Sequence, residues 1–268
     1  MPAPSPGPIM AADMDDDGAR GDKVMTVVEH LTELRFRIII SVGAIAAGSA
    51  VGFYFAPAVI DLLRAPIGRP LVFTTIGGAF FVQLKLALMI GLALASPVVL
   101  YQLWAFVSPG LTPRERRLAR PWIPLALVFL ILGVAVAYVI LPLTVGFLLS
   151  FQRPGVIEPL ITLEAYIGFV TTMFLAFGLV MQFPIVLVLL SKVGIVSVDR
   201  LRRGRRYVFV GIFIFAVVVT PGGDPFSPII MAAVMYPLYE LTIWLVARSE
   251  RGKRASEAAH QTGDNEGR

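Results

Sequence analysis

Six stretches of this chain are apolar almost without interruption: roughly 36–56, 79–107, 121–149, 163–190, 207–220 and 226–247. A helix needs about 20 apolar residues to cross a bilayer core, and five of these runs reach that length. The runs are continuous rather than alternating, which excludes a transmembrane β-barrel. The expectation is an all-α polytopic membrane protein with six transmembrane helices, the fifth and sixth being the short ones. The chain is 57% hydrophobic and 15% charged, with a mean hydropathy of +0.79; soluble domains lie nearer 45–50% and 25%. Pro97, Pro184 and Pro237 interrupt the second, fourth and sixth runs. Proline removes a backbone donor and kinks a helix, so a curved wall of proline-kinked helices is expected.

Basic residues give the orientation. Four lie between the N-terminus and Arg37, four in the 107–120 loop, six in the 191–206 loop and five in the C-terminal tail. The loops between them carry only Arg64, Arg69 and Arg153, and Lys85 lies inside the second run, near its outer end, where it is expected to snorkel. By the positive-inside rule both tails are cytoplasmic. The fifth run, 14 residues long, is the weak point, because it spans only about 21 Å. Parity requires it to cross, since RRGRR (202–206) and the Arg248–Arg254 cluster both belong inside. A short hairpin turning at TPGGDP (220–225) is therefore predicted, with the bilayer thinned locally. RRGRR is read as a positive-inside anchor.

The composition closes off several function classes. There is no cysteine, hence no disulfide framework and no thiol chemistry. Both histidines, His30 and His260, lie outside the apolar runs. The runs lack the aspartate pair of an intramembrane aspartyl protease and the histidine of a serine one, and no phosphate-cradling loop occurs. No enzyme activity and no cofactor are expected. The net charge of +5 belongs to topology rather than to nucleic acid, since no aromatic-basic reading module is present. Residues 1–24 have neither the basic start nor the apolar centre of a secretory signal. They and residues 249–268 are expected to be disordered tails flanking a membrane domain of residues 25–248.

Two short motifs carry carboxylates beside the membrane domain's inner mouth. EHLTELRFR (29–37) directly precedes the first run. Thr26 and Glu29 fit a capping box, and Glu33 and Arg37 stand at i, i+4, the spacing of an intrahelical ion pair. LTPRERR (111–117) offers a second box, with Glu115 its only acid. Both motifs read simply as capped, amphipathic helix starts. Should the loop fold back, the same carboxylates gather at one mouth, where two arginines are the natural guests: each guanidinium fork fits a carboxylate bidentately, and lysine does not. Gln102 and Gln182 are expected to hydrogen-bond between helices. Glu240, deep in the sixth run, defaults to a paired or functional role, with Arg248 two turns away.

HLTELRFR, ASPVVLYQLWAFVSPGLTPRERR (95–117) and VTPGGDPFSP (219–228) resemble the TatC family of twin-arginine protein translocases, over residues 26–248. The resemblance implies a receptor in the bacterial cytoplasmic membrane that takes the twin-arginine signal peptides of folded cargo. It implies signal-binding roles for Glu33 and Glu115, and for Arg35, which matches a basic position of the first motif, and Phe106 and Pro109, which match the family's WAF-x-x-P segment. Pro66, Pro97, Asp224 and Glu240 fall at further positions of structural or functional weight. A glutamate common in the fourth span falls on Gln182, and the TPGGDP turn is one glycine longer than the usual form. TatA and TatB as single-span partners, a homo-oligomer within the complex and drive by the proton-motive force are implied likewise. A secondary transporter of a small solute is the rival; it calls for broken helices and charges at the midplane.

Overall fold

The computed structural model describes residues 27–68, 70–110, 116–117, 122–153, 160–192 and 196–266. These form helices α1 (Val27–Arg64), α2 (Gly78–Val107), α3 (Trp122–Leu149), α4 (Leu163–Val180), α5 (Phe183–Lys192), α6 (Val198–Val219) and α7 (Phe226–Glu266), with short 3-10 turns at Ala65–Ile67 and Ser108–Gly110. An isolated bridge pairs Val72 with Thr162. Five spans are long and apolar enough to cross a membrane: Val28–Ile67, Gly78–Gly110, Trp122–Leu149, Leu163–Ser191 and Phe226–Arg248. The last of these is the shortest, at 23 residues. Helix α6 adds a sixth apolar segment after a charged first half; Tyr207–Val219 measures about 20 Å.

α1 is 38 residues long, about 57 Å, against a bilayer core of about 30 Å. The helix therefore continues past the apolar layer, and its polar N-terminal turns form a platform at one end. It also runs past position 56, where the apolar run was expected to stop. Pro57 lies inside it, and the helix closes at Pro66 in the 3-10 turn and at Gly68, whose φ of 63° only glycine adopts freely.

α1 and α2 lie antiparallel in close backbone contact. A Cβ on Gly48 would fall 2.8 Å from the Gly91 carbonyl oxygen, and one on Gly52 2.6 Å from that of Ala87. Small residues four apart permit this approach and let dispersion hold the pair where lipid supplies no hydrophobic drive. The α3–α4 contact is built the same way, with Gly133 against the Phe177 carbonyl oxygen and the Gly178 Cα. The α4–α5 span is the hub, 61% of its apolar window being buried, whereas α1 is 6% buried; Ile167, Val170, Met173 and Phe177 form the centre.

The fourth span is broken rather than kinked. Pro184 has no N–H to give the Val180 carbonyl, and its ring presses on that carbonyl. α4 therefore stops at Val180, and the Gln182 N–H turns to Leu179 at 3.0 Å. α6 begins at a Ser197 cap, whose side chain accepts from the Arg200 N–H. α7 does not stop at 248: its backbone is helical to Glu266, through the segment expected to be a disordered tail. That segment, RGKRASEAAH, is rich in strong helix formers.

Candidate functional site

The two ends of the bundle differ. At one end, Tyr166 donates to the Leu63 carbonyl at 2.5 Å. There the Val72 N–H also reaches Ile161 O and the Leu163 N–H reaches Val72 O, tying two loops together. Glu164 accepts from Thr75 at 3.1 Å and lies against Gly78, so its carboxylate sits at the positive N-terminus of α2. Exposed Lys85 extends to within 3.5 Å of where a Gly168 Cβ would be.

The other end carries the motif EHLTELRFR. Because α1 and α2 run antiparallel, the first turns of α1 meet the last turns of α2. Glu33 and Arg37 face each other one turn apart: Arg37 gives Glu33 Oε1 both its Nε, at 3.1 Å, and its Nη2. The third guanidinium nitrogen crosses to α2 and donates to Gln102 Oε1 at 3.2 Å. Glu33 Oε2 is buried and has no hydrogen bond among the described residues; His30 Nδ1 stands 3.9 Å from it. The His30 ring lies flat on Phe106, centroids 4.3 Å apart and planes 13° apart. Trp104, one turn before the end of α2, has a buried Nε1 that is likewise unpartnered.

Of the residues expected at this site, Glu33 and Phe106 are thus brought together, with Pro109 following in the 3-10 turn that ends α2. Arg35 lies on the same platform but is exposed. Glu115 and the capping residues Thr26, Thr112 and Pro113 lie outside the described residues. Arg116, the next residue after Glu115, donates to the Ser108 carbonyl at 3.1 Å, at the same end of α2. Arg37, His30 and Gln102 are additions. The i, i+4 spacing identified the Glu33–Arg37 pair, but the contacts of Arg37 and His30 across to α2 depend on helix register, which spacing alone does not give.

The remaining expected residues lie elsewhere. Pro66 shapes the turn after α1, and Pro97 stands exposed inside α2. Gln182, at the α4–α5 break, donates to the Ala126 carbonyl of α3 at 3.1 Å, the interhelical role expected of it. Asp224 is 3% exposed; its Oδ1 accepts from the Ser227 N–H at 2.7 Å and from Thr144 at 3.4 Å, while Oδ2 is buried and unpartnered among the described residues. This carboxylate staples the α6–α7 turn to α3. Glu240 pairs with Arg205 of α6 at 2.8 Å rather than with Arg248; Arg248 instead lies over the Trp244 ring. One arginine of RRGRR therefore links two helices.

The end carrying EHLTELRFR therefore gathers an arginine bound to a carboxylate, an aromatic stack beside it and the exposed Arg35. No His/Asp/Glu cluster able to hold a metal occurs among the described residues.

Comparison with known proteins places the chain. Residues 29–233 match the family model described as Sec-independent protein translocase protein (TatC). The TatC protein of Carboxydothermus hydrogenoformans is 38% identical over 228 residues, covering 84% of this chain and 93% of that protein. That of Azotobacter chroococcum is 40% identical over 85% of this chain and 91% of its own. That of Escherichia coli is 36% identical over 81% and 86%. Among solved structures, the crystal structure of the twin arginine translocase receptor TatC in DDM superposes with a TM-score of 0.69 at 35% identity, over 81% of this chain and 99% of that one. Family model, relatives and fold agree: this chain belongs to the TatC family of Sec-independent protein translocase proteins.

Proposed function

We propose that this chain is the signal-receiving subunit of a twin-arginine translocase in a bacterial cytoplasmic membrane. Both termini and the EHLTELRFR platform face the cytoplasm, where the basic loops concentrate. The paired arginines of a folded cargo's signal bind Glu33 and Glu115, and the signal's apolar stretch lies along the spans. Single-span TatA and TatB partners assemble on the receptor, several copies of which combine in the complex. Nothing in the described residues resembles a nucleotide-hydrolysing site, and the proton-motive force supplies the drive.

The observation that carries this reading is Arg37 seated in the Glu33 carboxylate. The pocket already accommodates a guanidinium fork, half-buried against α2, where a charge-assisted pair is worth more than on an open surface. The Arg116 bond to the end of α2 supports bringing Glu115 to the same mouth.

The test uses the full chain in lipid nanodiscs and a synthetic signal peptide with an Arg-Arg pair or its Lys-Lys twin. Arg-Arg is expected to bind at least about tenfold tighter, and Glu33→Gln to weaken it by a similar factor. Equal binding of the two peptides, or binding indifferent to Glu33→Gln, contradicts the proposal. Solute uptake by the purified chain in liposomes would point to a transporter instead.

A further inference from the structure

We infer that Arg37 is the resting occupant of the Glu33 pocket, a built-in guanidinium that an incoming arginine must displace. The inference rests on the signal-binding reading above and adds a regulatory residue to it.

The described geometry places Arg37 where an incoming cation would meet Glu33 Oε1. Glu33 and Arg37 side chains are only 19% and 21% exposed. Oε1 takes two nitrogens of Arg37. Oε2 is buried, and the His30 ring, itself stacked on Phe106, stands 3.9 Å from it. Gln102 grips Arg37 from α2, so the guanidinium is held by two helices rather than dangling from one. A second fork can take Oε1 only as Arg37 leaves it. Oε2, buried without a donor among the described residues, is the acceptor left over for the newcomer once His30 moves aside.

Such an occupant has a definite thermodynamic signature. An intramolecular competitor lowers the affinity for every guest by one factor, the fraction of time the pocket stands vacant. It leaves the ratio between an arginine pair and a lysine pair unchanged. What it sets is the threshold: a lysine pair, already weaker for want of a fork, falls below useful affinity. It also keeps a partly buried carboxylate compensated between cargoes, since an uncompensated buried charge is costly.

Arg37→Gln removes the occupant, and Arg37→Lys retains the charge while losing the fork. Binding of the Arg-Arg and Lys-Lys peptides is measured on full-length protein in nanodiscs, for both variants, with and without Glu33→Gln. In Arg37→Gln both peptides are expected to tighten together by about three- to tenfold, with their ratio preserved. Arg37→Lys is expected to move both in the same direction by less, and Glu33→Gln to cancel the gain. Unchanged or weaker binding in both Arg37 variants, while the wild type still depends on Glu33, overturns this inference and leaves the receptor reading standing. Tightening of the Arg-Arg peptide alone overturns it too, because Arg37 would then be reading the guest. Wild-type binding that ignores Glu33→Gln removes the receptor reading, and this inference with it.

Discussion

Replacing Gly52 by leucine tests how the platform is held. A Cβ there would lie 2.6 Å from the Ala87 carbonyl oxygen and 3.0 Å from the Ile90 Cβ, whereas ordinary contact begins near 3.4 Å. Backbone and a β-branched side chain cannot step aside, so α1 must retreat from α2 by about 0.8 Å for the Cβ alone, and further for the rest of the side chain. Overpacking of this kind costs about 1–3 kcal/mol. The retreat carries along the helix to the platform. The Arg37–Gln102 bond, now 3.2 Å, stretches to about 4 Å, outside hydrogen-bonding range, and the His30–Phe106 stack opens. The assay is denaturant unfolding of the purified chain in mixed micelles, run beside Arg-Arg peptide binding. Gly52→Leu should lower stability and alter binding, although it lies about five helical turns from Glu33. Gly43→Leu is the control, since nothing lies within 4 Å of its Cβ position. Equal behaviour of the two variants would refute the claim that glycine contact sets the spacing of the α1–α2 pair.

Other expectations follow from single contacts. Asp224→Ala leaves the buried Ser227 N–H without its acceptor and should cost about 1–3 kcal/mol of stability, with peptide affinity unchanged; a stability within error of wild type would deny the staple. Arg205 and Glu240 are 47% and 32% exposed, so a double-mutant cycle should return a coupling of roughly 0.2–1 kcal/mol, and a value several times larger would mean the pair is screened far less than its exposure implies. Pro184→Ala restores a donor for the Val180 carbonyl and should raise hydrogen-exchange protection across residues 180–186; unchanged protection would place the cause of the break elsewhere.

How much of this was legible beforehand depends on whether a contact is local. The apolar runs locate the membrane helices, because hydropathy is a property of consecutive residues, but not their ends: α1 runs from Val27 to Arg64 and the fourth run is two helices. The Glu33–Arg37 pair was legible for the same reason, being one turn apart. Glu240 shows the limit: its own helix offered Arg248, but α7 lies antiparallel to α6 and Arg205 is nearer. Gly48 and Gly52 carry the G-x-x-x-G spacing of a close helix contact, but only the register of α1 on α2 decides that they meet Gly91 and Ala87. Pro184 in sequence predicts a kink. The break lies earlier in the chain, because proline acts on the carbonyl four residues before it. A helical backbone beyond Arg248 is not legible as such, since a polar segment without an apolar face carries no helix-period pattern even when its residues favour helix.

The most direct measurement is photo-cross-linking with a probe placed beside the arginine pair of a bound signal peptide, mapped by mass spectrometry on the full-length chain. Cross-links are expected within residues 29–37 and 102–117, around Glu33, Phe106 and Glu115, and should be lost with the Lys-Lys peptide. Cross-links at the opposite end, around Pro66, Glu164 or Asp224, would contradict an acidic arginine receptor at the α1–α2 mouth.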